Sequence, residues 1–185
     1  PVVLQHPAGD SRLVDLVDPV GDTGGHNAAA FQDIVFSQMT KTAAGDFELL
    51  MEMAGPVPVN PPLPPPGKSA IEWGWNFDLD PTTFPVGYPV HKGYASPEFV
   101  VHLSWDGVEF AGVAIDRRPL LTGGEAIITP VPFSFDGTIV EADLPYALIG
   151  AVPASFGWYG ATLGWSGLIG SSDGFHAVDR AIFAP

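Results

Sequence analysis

The sequence predicts an all-β chain folded as one antiparallel two-sheet β-sandwich, and three observations carry that expectation. Apolar and polar residues alternate with period two over several short runs, Asp-Gly pairs and prolines punctuate those runs, and no stretch sustains a helical period. With 22 glycines and 20 prolines in 185 residues, turns are frequent and long helices have little room. An apolar fraction of 46% is nevertheless enough to build a core, so the turn-rich composition belongs to a folded chain. The length fits a single domain over residues 1–185, with no internal repeat and no boundary.

In chain order, residues 34–39 read as a strand, joined through a turn at Ala44-Gly45-Asp46 to a second strand at 47–53. In that second strand Phe47, Leu49, Met51 and Met53 share one face and Glu48, Leu50 and Glu52 the other. Residues 56–67 hold seven prolines and one glycine. Each proline lacks an N–H and fixes φ, so an extended, polyproline-like surface loop is expected there. The clearest alternation follows at 70–80, where Trp73, Trp75, Phe77 and Leu79 form a core-facing row and Asn76, Asp78 and Asp80 the opposite one. Further strands are expected at 98–105, 109–115, 126–135, 138–143, 155–163 and 177–183, with hairpin turns at Asp106-Gly107 and Asp136-Gly137. Residues 144–149 read as a short helix or turn, capped by Asp143 and with Pro145 in its first turn. Residues 1–4 form one more strand-like patch.

Charge and cysteine content exclude several classes. A net charge of −14, from 7 basic and 21 acidic residues, argues against nucleic acid and anionic membranes, which need Lys/Arg patches. It suits a cation-binding or salt-adapted surface. The absence of cysteine removes disulfides, zinc-thiolate sites and thiol catalysis. No apolar run is long enough to span a bilayer. The chain opens at Pro1 without methionine or signal peptide, which is expected of a processed or trimmed piece of a longer precursor.

The densest chemistry lies in Asp18-Pro19-Val20-Gly21-Asp22-Thr23-Gly24-Gly25, followed by Phe31-Gln32-Asp33-Ile34. Glycines allow a short loop to close around a point, and converging carboxylate oxygens suit a hard cation such as calcium. The plainer reading is an acidic surface loop, since the regular alternation of an EF-hand is missing.

Taken together, Asp18-Pro19, Gly21-Asp22, Gly24, Asp33-Ile34, Phe77-Asp78-Leu79-Asp80, Pro97-Glu98-Phe99-Val100-Val101, Trp105-Asp106-Gly107 and Val178-Asp179-Arg180-Ala181 resemble the DOMON-like superfamily. That group includes family-nine carbohydrate-binding modules and C-terminal domains of extracellular glucan-acting enzymes. The resemblance implies a secreted or surface-exposed sandwich that binds sugar or haem on a sheet face. It also implies a structural calcium, carried here onto Asp18, Asp22, Asp33 and Asp179. The proline-rich insertion at 56–67 departs from the family pattern.

Four functions remain open on these residues. A carbohydrate site needs a flat aromatic face beside polar groups. Trp158, Tyr159 and Trp165, in Gly-rich surroundings, are the expected platform, with Asp78 and Asp80 as polar partners. Haem would draw axial ligands from Met51, Met53, His91 and His102. A carboxylate-dependent enzyme would use Asp78 with Asp80, or Asp116 and Asp136. No His-Glu-x-x-His motif or phosphate-binding loop supports catalysis, and the histidines (6, 26, 91, 102 and 176) have no metal-ligand spacing. A surface-layer, adhesion or filament subunit would instead self-associate through exposed strand edges. The leading expectation is an extracellular, calcium-stabilised carbohydrate-binding module.

Overall fold

The computed structural model describes residues 11–17, 20–21, 29–63, 68–80, 82–83, 97–153, 156–166 and 175–183; side chains at 11–16, 68–69, 163–166 and 175–183 are not described. The chain runs β1 (Ser11–Val17), β2 (Ile34–Lys41), β3 (Phe47–Met53), β4 (Lys68–Asp78), β5 (Phe99–Trp105), β6 (Phe110–Asp116), β7 (Ile127–Pro130), β8 (Phe133–Asp136), β9 (Ile139–Leu144), helix α1 (Tyr146–Ile149), β10 (Gly157–Ser166) and β11 (Phe175–Phe183). Short 3-10 turns stand at Ala30–Gln32 and Arg118–Thr122. One sheet has five strands in the order β1-β2-β3-β9-β8, and the other six in the order β11-β10-β4-β5-β6-β7. Every pairing is antiparallel, so the expected all-β two-sheet sandwich is the observed fold.

Alternation decides the core. In β3 the row Phe47, Leu49, Met51 and Met53 is buried, and in β4 so is the row Ile71, Trp73, Trp75 and Phe77. Phe99, Val101, Leu103 and Trp105 of β5 complete the layer from the six-stranded side. Trp73 has 0% exposure and ties the layer together, its indole N–H donating to the Phe31 carbonyl at 3.0 Å. Its ring meets Phe135 of the opposite sheet at 5.6 Å, and Phe135 meets Phe110 at 4.7 Å. At the other end Phe47 and Phe77 contact edge-to-face across the sheets, 5.8 Å apart. The Thr162 hydroxyl of β10 donates to the Gln32 carbonyl at 2.6 Å, pinning the entry to β2 against the six-stranded sheet.

Three expectations change. The strand expected at 126–135 is two strands in different sheets, β7 beside β6 and β8 beside β9. Pro130 and Pro132 flank Val131, and two missing donors stop the ladder, so the chain steps between sheets there. Asp143 does not cap α1, because it is still paired in β9 opposite Glu48. The Tyr146 N–H instead donates to Asp46 Oδ1 at 2.7 Å, and Pro145 precedes the first turn. Strand β1 was not expected, since the register shift between Arg12 and Val14 breaks its two-residue period. Residues 1–4 lie outside the described residues.

The described part of the proline-rich stretch is anchored rather than free. Pro61 is buried and its carbonyl accepts the Trp105 indole N–H at 2.9 Å, while Leu63 packs on the core. Replacing Trp73 by alanine is expected to cost about 3–5 kcal/mol, through lost burial and the cavity left behind. Urea unfolding of the variant checks this, and a loss under about 1 kcal/mol would show that the two sheets are not joined through this ring.

Candidate functional site

Of the four residues proposed for calcium, only Asp33 has a described side chain. It is buried, and both its carboxylate oxygens accept the Gly21 N–H, at 3.1 and 2.9 Å. One end of the Asp-rich loop is thereby tied to the start of β2. Asp18 and Asp22 lie outside the described residues. Asp179 stands in β11 opposite Thr162, the residue bonded to the Gln32 carbonyl next to Asp33. Among the described residues no group of three acidic or histidine side chains is arranged to hold a metal.

Of the expected aromatic platform, Trp158 faces the wrong way. Trp158 is 2% exposed and belongs to the core, because its register opposite Phe77 turns it inward. It is therefore not on offer to a surface ligand. Tyr159 is half-buried on the opposite face of β10, and the side chain of Trp165 is outside the described residues.

Asp78 and Asp80 do not act as a matched pair. Asp80 is exposed and shapes a turn, its Oδ1 accepting the Thr82 N–H at 2.9 Å and the Thr82 hydroxyl at 2.6 Å. These bonds hold its carboxyl below the ordinary value. Asp78, at the end of β4, is pushed up to about 6, first by burial and then by the charges of Glu98 and Asp80. Glu98 was not singled out from the sequence, yet it organises this corner. It is 2% exposed and accepts the Leu79 N–H at 2.7 Å and the Thr83 hydroxyl at 2.5 Å. Its only signal was a charged residue between Pro97 and an apolar strand.

The other candidates are kept apart. Asp116 is committed to Arg118, which donates to it from Nε at 2.8 Å and Nη2 at 2.7 Å and reaches the Ile149 carbonyl through Nη1 at 2.8 Å. Asp136 is exposed at the end of β8. Met51 and Met53 face the core, whereas His102 stands on the outer face of the six-stranded sheet, its Nδ1 3.6 Å from Glu72. Burial pushes the His102 imidazole down, with Glu72 opposing and Arg117 adding to the shift. Its ring lies over Gly74, where a Cβ would come within 2.8 Å of it, so any side chain at 74 would push the imidazole aside. These methionines and this histidine cannot share one haem, and His91 is outside the described residues. A Gly-x-Ser-x-Gly spacing at Gly170-Ser171-Ser172-Asp173-Gly174 is also outside them. In the chain it falls between β10 and β11.

A concave site lies elsewhere, on the outer face of the five-stranded sheet. It is a groove of about 270 Å³ over β2, β3, β9 and β8. Gln38, Thr40, Glu48, Ser134, Glu141 and Asp143 supply its polar lining. Cross-strand register sets Leu50 opposite Glu141 and Glu48 opposite Asp143, so these side chains share one face. Phe133 of edge strand β8 borders the groove, but its half-buried ring turns inward, beside Phe135 and over Gly112. The Ser134 hydroxyl donates to Glu141 Oε2 at 3.1 Å and orients that carboxylate. Thr40 is 1% exposed, and its hydroxyl has no hydrogen-bond partner among the described residues. Sequence reasoning passed over this face because it sought aromatic rows, and here the row is amide, hydroxyl and carboxylate.

No family model, curated protein or solved structure matches the chain.

Asp78 gives the fold a pH dependence of definite sign. The folded chain binds its proton near pH 6 and the unfolded chain near 3.8, so between these values the folded state holds the extra proton. Stability on this account falls as pH rises from about 4 to about 6, and the penalty is complete above that window. Asp78→Asn is expected to raise the melting midpoint at pH 8, with the gain closing by pH 4. Thermal unfolding at both pH values decides it; a gain that stays the same at pH 4 would mean the Asp78 charge is not its source.

Proposed function

We propose that this chain is an extracellular binding module for carbohydrate, with its ligand held in the groove of the five-stranded sheet and calcium as a structural ion at the Asp33 loop. The observation that carries the reading is the polar lining of that groove. Sugars present hydroxyl groups that both donate and accept. The exposed Ser134 hydroxyl and the exposed Glu141 and Asp143 carboxylates offer partners for them. Most of the groove lies on β2, β3 and β9, each paired on both sides, so little of it has to be ordered when a ligand arrives.

The calcium part rests on the family resemblance and on Asp33, whose carboxylate already gathers the loop at Gly21. Asp18, Asp22 and Asp179 are the further ligands of the proposal. The extracellular setting rests on the resemblance alone. Self-association has Ile127 and Ile128 of edge strand β7 in its favour, 56% and 64% exposed. That strand is only four residues long and ends at Pro130, which guards the edge against pairing.

Calorimetric titration against neutral and charged oligosaccharides tests the ligand class. Ser134→Trp changes an exposed position and fills the groove. It is expected to weaken binding by roughly tenfold or more, about 1.4 kcal/mol, with the melting midpoint unchanged. If no oligosaccharide binds, or if Ser134→Trp binds like wild type, the groove is not the site. For the ion, calcium should raise the melting midpoint with concentration and Asp33→Ala should abolish the rise. A midpoint indifferent to calcium and chelator removes calcium from the proposal.

A further inference from the structure

We propose that Asp136-Gly137 is a site of self-modification, where the folded chain slowly converts Asp136 to isoaspartate while the matching pair Asp106-Gly107 is protected. Both pairs sit in turns that join neighbouring antiparallel strands, and all four residues are exposed. The chemistry needs no reagent but water. The Gly137 amide nitrogen attacks Cγ of the protonated Asp136 carboxyl. An N–Cγ bond forms, the nitrogen gives up its proton, the C–OH bond breaks and one water leaves. Water then opens the resulting five-membered succinimide. Attack at Cγ restores aspartate. Attack at the main-chain carbonyl breaks its bond to the Gly137 nitrogen and leaves the backbone running through Cβ and Cγ, one carbon longer.

The two turns differ in how the carboxyl is held. Asp136 ends edge strand β8, and its carboxylate has no hydrogen-bond partner among the described residues. The Gly137 N–H donates to none of their carbonyls, and open space surrounds the place where a Cβ would stand. Asp106 is pinned instead, its Oδ1 accepting the Val108 N–H at 2.7 Å and the Glu109 N–H at 2.9 Å. These bonds, Glu109 first, keep its carboxyl below the ordinary value and deplete the protonated form that loses water. Gly107 also lies against Leu63, where a Cβ would come within 2.8 Å of Cδ1. The third such pair, Asp173-Gly174, lies outside the described residues. The product has a structural consequence. Gly137-Thr138 is a two-residue loop with φ of +61° at Gly137, and such loops set the register of the strands they join. An added backbone carbon breaks the pairing of Asp136 with Ile139, and the ladder to β9 is the only one β8 has.

The test ages the purified, folded chain in warm, mildly acidic buffer. It is then digested with a protease that cuts before aspartate but not before isoaspartate, and the peptides are mapped by mass spectrometry. Isoaspartate is expected at 136 roughly tenfold faster than at 106, because two hydrogen bonds must break before the Asp106 carboxyl can react. In urea the two rates should converge, since neither carboxyl is then held. Asp136→Glu keeps the charge at an exposed position, and its longer side chain would have to close a less favourable six-membered ring. That variant should give no product at 136. Aged wild type should also exchange its β8 amides with solvent faster than aged Asp136→Glu. Equal rates at 136 and 106 in the folded chain, or product at 136 in urea alone, overturn the proposal. Unchanged exchange in chains that carry isoaspartate at 136 overturns the loosening of β8.

Discussion

The contact between Trp73 and the opposite sheet is the constraint on which the sandwich depends. A tryptophan on a strand must bury a large ring and still satisfy one N–H, and both demands are met across the inter-sheet layer. The ring reaches Phe135 of the five-stranded sheet, and the N–H reaches the Phe31 carbonyl just before β2. That fixes the pleat of β4. Once Trp73 points inward, Glu72, Gly74 and Asn76 must point outward, and their partners on β5 follow in register. Trp75 and Trp158 are buried in the same layer, but their N–H groups have no partner among the described residues. Only one of the three indoles therefore adds a directional bond that sets how the sheets face each other.

The two outer faces then diverge. On the six-stranded sheet, His102 covers Gly74 and approaches Glu72, and all three are largely shielded from water. The polar groups there are spent on one another, with the imidazole held toward its neutral form by burial. On the five-stranded sheet, Glu141 and Asp143 remain exposed above a shielded floor of Gln38, Thr40 and Leu50. Polar groups committed to one another close the first face, whereas the carboxylates of the second stand open to solvent. This difference, rather than any aromatic row, is what makes the groove the candidate.

The fold was legible where period two ran unbroken. Residues 47–53 and 70–80 carried the pattern that the core then obeyed, including the burial of Trp73 and Trp75. Legibility failed where backbone events break the period. The bulge in β1 hid a strand, and the prolines around Val131 hid a change of sheet inside an apolar run. Site residues were harder for a different reason. Trp158 sits among glycines, which suggested exposure, but its face is set by register against Phe77, a property of two strands and not of either alone. The groove is non-local in the same way. Gln38 and Glu48 share the β2–β3 hairpin, but Glu141 lies far along the chain and joins them only because β9 returns to pair with β3. Nothing local to any of them marks a site.

That non-locality bears on how such a site would work. A groove on loops must be ordered when the ligand arrives, and the ordering entropy is subtracted from affinity. Here the floor belongs to strands bonded to neighbours on either side, and Ser134 already holds the Glu141 carboxylate. Little remains to be ordered beyond the ligand itself. The pairing of β3 with β9 thus does two jobs at once, closing the core on one side and bringing acidic groups together on the other.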